Sequence, residues 1–212
     1  MKEYYERYWE NGIKGKIMHE PPPEEDKLFS KRWNTITKAI GKYLNGKCLD
    51  AGSGSGLTTS ELNKITPTIG LELSSSAINK ARKKYPQIKF VKGSVTGMPF
   101  KGNQFDCIFA SEIIEHVLDT EAMFFEFNRV LKKNGYLIIT TPEFAWLKRV
   151  FIALFLSDSY FYPFNPHIRF YSKKTLAEIL KKFGFKIVHY QPDGSFFGLM
   201  PKGMLVVAKK TR

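Results

Sequence analysis

The chain has 212 residues, with 33 Lys and Arg against 20 Asp and Glu for a formal net charge of +13, and is 43% hydrophobic and 15% aromatic. That length and apolar fraction suit a single globular domain over residues 1–212 and exclude wholesale disorder and collagen-like or disulfide-scaffold classes. The longest apolar run, Val150–Leu156, is far short of the roughly 20 residues that span a bilayer, the N-terminus lacks the apolar core of a secretory signal, and two cysteines (Cys48, Cys107) offer neither a disulfide framework nor a metal-ligand set. A soluble cytoplasmic protein with no metal site is therefore expected.

The positive charge is concentrated. Residues 31–100 carry 12 basic and 3 acidic groups, and residues 151–212 carry 10 and 3, whereas the remaining stretches are slightly acidic. A Lys-rich solvated face accounts for this, and so does attraction of an acidic substrate, a nucleic acid or an anionic membrane surface. No helix-turn-helix, zinc-finger or RNA-recognition signature accompanies the charge.

In chain order, residues 1–27 read as an N-terminal arm in which Tyr4, Tyr5, Tyr8 and Trp9 sit on an acidic segment that ends near Pro21–Pro23. Apolar residues at Phe29, Trp33, Ile36, Ile40 and Tyr43 keep helical spacing over 28–44. Strands and helices then alternate: a strand at 47–51, a helix at 57–64, a strand at 68–73, a helix at 74–85 ended by Pro86, and a strand at 88–92. A fourth strand at 105–110 precedes a helix at 119–131 that stops at Asn134-Gly135, and a fifth strand follows at 136–141. Residues 143–171 form an unusually long connection. Ser172 then caps a helix with Leu176, Ile179, Leu180 and Phe183 on one face and Gly184 past its end, and strands at 186–190 and 204–208 close the chain. The pattern predicts an α/β fold: a seven-stranded, mostly parallel sheet with helices on both faces. Its last two strands form an antiparallel hairpin at the edge, because no crossover helix separates them.

Chemistry is expected at the first strand-turn-helix unit, Cys48-Leu-Asp50-Ala-Gly52-Ser-Gly54-Ser-Gly56. Its glycines let the backbone pass close beneath a ligand at the carboxyl end of the first strand, where open α/β sheets bind ligands. A dinucleotide fingerprint would need its third glycine at position 57, which is Leu. Asp50, two residues before the first glycine, suits an ammonium group better than a pyrophosphate. Glu72, at the end of the second strand, is placed to accept hydrogen bonds from both hydroxyls of a ribose. The plain alternatives are a turn residue for Asp50 and a surface carboxylate for Glu72. Cys48 and Cys107 read as buried small hydrophobes.

Together with Gly70-Leu-Glu-Leu-Ser74, Lys92-Gly-Ser-Val-Thr-Gly-Met-Pro-Phe100, Phe105-Asp-Cys-Ile-Phe-Ala-Ser-Glu112, Glu115-His116-Val117 and Arg129-Val-Leu-Lys-Lys-Asn-Gly-Tyr-Leu137, this loop makes the chain resemble the class I S-adenosylmethionine-dependent methyltransferases. It is most similar to the small-molecule branch that includes the ubiquinone and menaquinone biosynthesis enzymes, over about residues 40–140. The resemblance implies a Rossmann-like sheet, S-adenosylmethionine as cofactor and S-adenosylhomocysteine as product. It places Asp50, Gly52, Ser53 and Gly54 along the methionine part, Glu72 on the ribose, Leu73 on the adenine and Ser111 toward the sulfonium. The third motif departs from the family, having Ser94 and Val95 where an acidic side chain normally meets the adenine amino group. Ser94 can still accept a hydrogen bond, and the Val95 backbone can still meet the ring edge.

His116 is the first candidate for a general base, His167 in Asn165-Pro-His-Ile-Arg169 the second, with Glu112 and Glu115 to orient a base or bind substrate. The apolar stretch Trp146–Leu156 with Tyr160–Phe164 reads as a helical cap lining an acceptor pocket. Alternatives are an interfacial membrane helix with Lys148 and Arg149 at the headgroups, a dimer contact, or plain core. The acceptor expected is a small, apolar, aromatic or lipid-like molecule rather than nucleic acid, and the chain is expected to be a monomer or homodimer. An RNA or protein methyltransferase, or a catalytically silent cofactor-binding homologue, are the competing readings.

Overall fold

The structure, a computed structural model, describes residues 2–11, 27–162, 167–195 and 201–212. The tri-proline Pro21–Pro23 and the Pro163–Pro166 part of the long connection, which includes Phe164, lie outside the described residues. Helix α1 (Lys2–Asn11) opens the chain and α2 (Lys27–Ile40) runs into a 3-10 turn at Gly41–Tyr43. There follow β1 (Cys48–Ala51), α3 (Leu57–Asn63), β2 (Thr68–Glu72), α4 (Ser75–Lys84), β3 (Lys89–Lys92), β4 (Phe105–Ser111), a 3-10 turn at Ile114–His116, α5 (Thr120–Val130) and β5 (Leu131–Pro142). The chain continues through α6 (Trp146–Phe155), the single turn α7 (Ser157–Tyr160), α8 (Lys173–Lys182), β6 (Phe185–Asp193) and β7 (Gly203–Lys210).

The seven strands lie in the order β3-β2-β1-β4-β5-β7-β6. β1 to β5 are parallel to one another, and β7 runs antiparallel to both β5 and β6, as the missing crossover required. Strand order reverses between β1 and β4, so the loops after these two strands diverge and leave a crevice between them.

The inner strands are buried almost throughout because helices cover both faces. Successive residues alternate between faces. Leu49, Ile108, Ile139 and Val206 pack with Phe124 and Phe127 of α5 and Leu176 and Leu180 of α8. Cys48, Cys107, Phe109, Ile138 and Leu205 pack with Trp33, Ile36 and Ile40 of α2 and Leu62 of α3. Each fully buried large side chain contributes about 1.5–3 kcal/mol.

Local signals set the ends of several elements. Ser74 caps α4 by accepting from the Ala77 N–H at 3.2 Å, and Ser172 with Thr175 forms a capping box on α8. One boundary differs from expectation. α5 stops at Val130 and β5 starts at once, with Leu131 beside Phe105; Asn134, at φ +64°, and Gly135 lie in an irregular stretch before regular pairing resumes at Tyr136. The Asn-Gly pair thus marks an irregularity within a strand rather than the turn ahead of one.

Candidate active site

β1 ends at Asp50-Ala51 and delivers the chain into the glycine loop. Gly52 and Gly54 hold φ of +85° and +51°, a region costly for any residue with a Cβ. A Cβ on Gly52 would also lie 2.4 Å from Ile113 Cδ1. The N–H groups of Gly52 and Ser53 donate to the Leu71 carbonyl at 2.8 and 2.9 Å, tying the loop to β2. Asp50 is buried and accepts from the Thr59 hydroxyl at 2.7 Å. Burial, only partly offset by that hydrogen bond, pushes its pKa up to about 7, with the charge of Glu72 adding to the rise. The hydroxyl of Ser53 is buried and has no hydrogen-bond partner among the described residues.

Glu72, at the end of β2, accepts from the Gly54 N–H at 3.0 Å through Oε2, and from the Leu73 and Ser74 N–H groups at 2.8 Å through Oε1. Burial raises its pKa against those bonds. Leu73 is half-buried beside it. Past β3, the Ser94 hydroxyl bonds that of Thr96 at 2.7 Å, while the Val95 side chain is buried in the core. That loop is held from behind by Arg129, which donates to the carbonyls of Phe100 and Met98 and pairs with Glu126.

On the opposite lip, β4 ends at Ser111, whose hydroxyl bonds that of Thr140 at 2.7 Å. Glu112 follows at φ +50°, a strained conformation for a residue with a long side chain. Its Oε1 accepts from Arg32 and Thr140, both at 2.8 Å. Arg32 also pairs with Asp193 at 2.7 Å. The 3-10 turn then presents buried Glu115 and half-buried His116. His167 comes from the far end of the long connection, with its ring centroid 4.8 Å from that of His116.

The structure therefore gathers Asp50, Gly52, Ser53, Gly54, Glu72 and Leu73 at one end of the crevice, and Ser111, His116 and His167 at the other. Ser94 and Val95 lie on the adjoining loop after β3. α1 spans the two ends. A Cβ on Gly54 would lie 3.0 Å from the Trp9 indole, and Tyr5 stands edge-on to His116 at 6.3 Å. Glu6 accepts from the Ser74 hydroxyl and the Ser75 N–H at 2.8 Å and from the Ser76 N–H at 3.1 Å. Those backbone bonds at the start of α4 hold its pKa down at about 2.

Sequence reading missed the Arg32–Glu112–Thr140 network, the Thr59 partner of Asp50 and the docking of Glu6 on α4. Each joins residues distant in the chain, and hydrophobic spacing carries no sign of them. The membrane alternative for α6 also needs correction. Lys148, assigned there to lipid headgroups, is 3% exposed and donates to the carbonyls of Glu143 and Lys202 at 2.9 and 3.1 Å. Trp146, Leu147, Val150, Leu154 and Phe155 are the exposed large apolar side chains of α6.

The fold is a Rossmann-like α/β sheet with a crevice at its switch point, and comparison with known proteins gives its class. Residues 24–190 match the methyltransferase domain family, and the chain belongs to that family. A demethylmenaquinone methyltransferase of Chlorobaculum tepidum is 29% identical over 183 residues, covering 76% of each chain. A malonyl-[acyl-carrier protein] O-methyltransferase of Legionella pneumophila is 34% identical over 140 residues, covering 56% of this chain and 49% of that one. In fold, a Methanosarcina mazei S-adenosylmethionine-dependent methyltransferase superposes with a TM-score of 0.68 at 21% identity, covering 81% of this chain and 96% of that one. The chain is an S-adenosylmethionine-dependent methyltransferase, and S-adenosylhomocysteine is its product. A buried carboxylate without a cation, an orphaned hydroxyl and a glycine-lined loop suit such a cationic nucleoside. Among the described residues no helix is long and apolar enough to cross a membrane.

Proposed function

We propose that this enzyme methylates a small acceptor of apolar, aromatic or lipid-like character, seated beside His116 and His167. The observation that carries this reading is a cluster of rings around Phe170, three residues after His167 in the strip that docks on the Ile114–His116 turn. Phe144 stacks on Tyr160 at 5.7 Å and lies 4.9 Å from Phe170, and Phe161 meets Phe170 edge-on at 5.5 Å. Aromatic walls of this kind select flat apolar ligands. The names of the quinone-pathway relatives point the same way.

Asp50 would hold the cofactor's ammonium, with Gly52, Ser53 and Gly54 along its methionine part. Glu72 would hold the ribose, Leu73, Ser94 and Val95 the adenine, and Ser111 would face the sulfur. To take both ribose hydroxyls Glu72 has to release one of its three backbone partners, since a carboxylate offers about four acceptor positions. The bound cofactor supplies a methyl group on a sulfonium, already primed with a good leaving group. The protein's work is then to hold the acceptor in line and dry. α1 would cover the crevice on one side, where Trp9 meets Gly54 and Tyr5 meets His116, and the strip that carries His167 would close it on the other. Where the acceptor is a hydroxyl, His116 and His167 handle its proton.

Incubation with methyl-labelled S-adenosylmethionine and, separately, phenolic and quinol-type compounds, a lipid extract, transfer RNA and a protein fraction tests the assignment. Label in the small-molecule or lipid fractions is expected. Label confined to RNA or protein would overturn it in favour of a macromolecular acceptor drawn by the basic surface.

A further inference from the structure

The acceptor end of the crevice holds a buried group that methyl transfer leaves unused. Glu115 is 1% exposed. Its Oε2 accepts from the Thr141 hydroxyl at 3.1 Å, but its Oε1 is buried with no hydrogen-bond partner among the described residues. An unmet buried carboxylate oxygen is costly. His116 Nε2 lies 3.9 Å from that same Oε1. One donor atom each from Glu115, His116 and His167 falls within 4.8 Å of the others.

The arrangement is fixed by the backbone. The N–H groups of Ile168 and Arg169 both donate to the Glu115 carbonyl at 3.0 Å. The Arg169 guanidinium donates to the Leu118 carbonyl at 2.7 Å, and the Tyr171 hydroxyl to that of Ile114 at 3.3 Å. Four bonds thus clamp the strip carrying His167 onto the turn carrying its two partners.

We propose that Glu115, His116 and His167 bind a first-row divalent transition-metal cation, whose remaining coordination positions take oxygen atoms of the acceptor. Two imidazoles and one carboxylate suit Mn²⁺, Fe²⁺, Co²⁺ or Zn²⁺ better than Ca²⁺ or Mg²⁺, which favour all-oxygen sets. Bonds of about 2.0–2.2 Å bring ligand atoms to roughly 3–3.5 Å apart, so the trio has only to contract slightly around an ion. The ion satisfies the orphaned Oε1 and offsets the charges of Glu112 and Glu115. With the ion bound the two imidazoles serve as ligands rather than as the base named above, and a hydroxyl on the ion loses its proton to solvent more readily. The chain order carries no sign of this ligand set, because Glu115 and His116 come from one segment and His167 from a distant one. Only the role given to the acceptor rests on the function proposed above; metal binding stands independently.

The test uses the untagged full chain, stripped by a chelator and titrated with Co²⁺, Mn²⁺ and Zn²⁺ by calorimetry and elemental analysis, with visible absorption followed for Co²⁺. Saturable uptake of one ion per chain and Co²⁺ bands are expected, with affinity falling about 100-fold in Glu115→Gln and His167→Ala. Because Glu115 is deeply buried, His167→Ala is the variant expected to keep its fold, shown by unchanged S-adenosylhomocysteine affinity. Absence of saturable uptake, or equal uptake by the wild type and a folded His167→Ala, overturns the proposal. Loss of S-adenosylhomocysteine binding with metal uptake intact would instead count against the cofactor assignment and leave the metal site standing.

Discussion

Asp50 is the residue at which the cofactor cleft meets its electrostatic cost. Its folded-state pKa, near 7, lies above the unfolded value of about 3.9. The folded chain therefore holds the proton more tightly than the unfolded chain. The stability this contributes is full below about pH 3.9 and is lost as pH rises through about 7. Two outcomes follow from burial being the main cause and Glu72 the facing charge. In calorimetric titrations between about pH 6 and about 8, S-adenosylhomocysteine affinity should rise with pH as the carboxylate forms. Asp50→Asn should flatten that rise and bind about tenfold or more weakly at the upper end, while its cofactor-free form melts at a higher temperature there. A pH profile identical in the two proteins would remove Asp50 from the ammonium site. Glu72→Ala should cost about 1–3 kcal/mol of cofactor affinity through lost charged hydrogen bonds, and an unchanged dissociation constant would refute its ribose role. Both carboxylates were legible from their place relative to the glycines and the strand end. Their backbone and Thr59 partners were not, because those depend on the loop's path in space.

At the scale of elements, we propose that α1 retains the cofactor, since Trp9 lies against Gly54 and Tyr5 against His116. Its hold on α4 consists of the Glu6 bonds to Ser74, Ser75 and Ser76 and the Lys80 ammonium bonded to the Trp9 carbonyl. Glu6→Gln removes the charge that answers the positive end of α4 while keeping the shape. Stopped-flow fluorescence should show S-adenosylhomocysteine leaving about 3–10-fold faster, the cost of one weakened charged contact of about 1 kcal/mol. An unaltered release rate would mean that α1 does not retain the ligand. The arm's aromatic cluster was visible in the sequence, since Tyr4, Tyr5 and Trp9 stand out on a polar segment. Its docking was not, because Glu6 and the α4 serines are about 70 positions apart and amphipathic spacing names a face without naming its partner. The α5–β5 junction failed for a different reason. Asn134-Gly135 carries ordinary turn chemistry, and only pairing with β4 converts it into an irregularity inside a strand. Lys148 shows the same limit: next to Arg149 it reads as a surface cation, yet two backbone carbonyls draw it inside.

For the whole molecule, alternating strand and helix signals were enough to give seven strands, helices on both faces and an antiparallel edge pair. Burial on both faces leaves a plain β-branched and aromatic record in the chain. The order of the strands, which creates the crevice, follows from right-handed crossovers rather than from any local residue pattern. One sheet serves both hydrophobic layers, so we propose that the chain folds as a single domain. Phe109, 1% exposed and centred in β4, is a direct probe of this. Phe109→Ala should cost about 3–5 kcal/mol in urea titrations while leaving one cooperative transition. Two separated transitions would contradict a single cooperative unit. The account as a whole turns on the crevice between β1 and β4 receiving a cationic nucleoside and its product. The most direct test is calorimetric titration of the folded wild-type chain with S-adenosylhomocysteine, paired with its melting temperature. One saturable site is predicted, with a stabilisation of about 2.7 kcal/mol when ligand reaches a hundred times its dissociation constant. A folded protein that gives neither heat nor a shift in melting temperature at saturating ligand would contradict it.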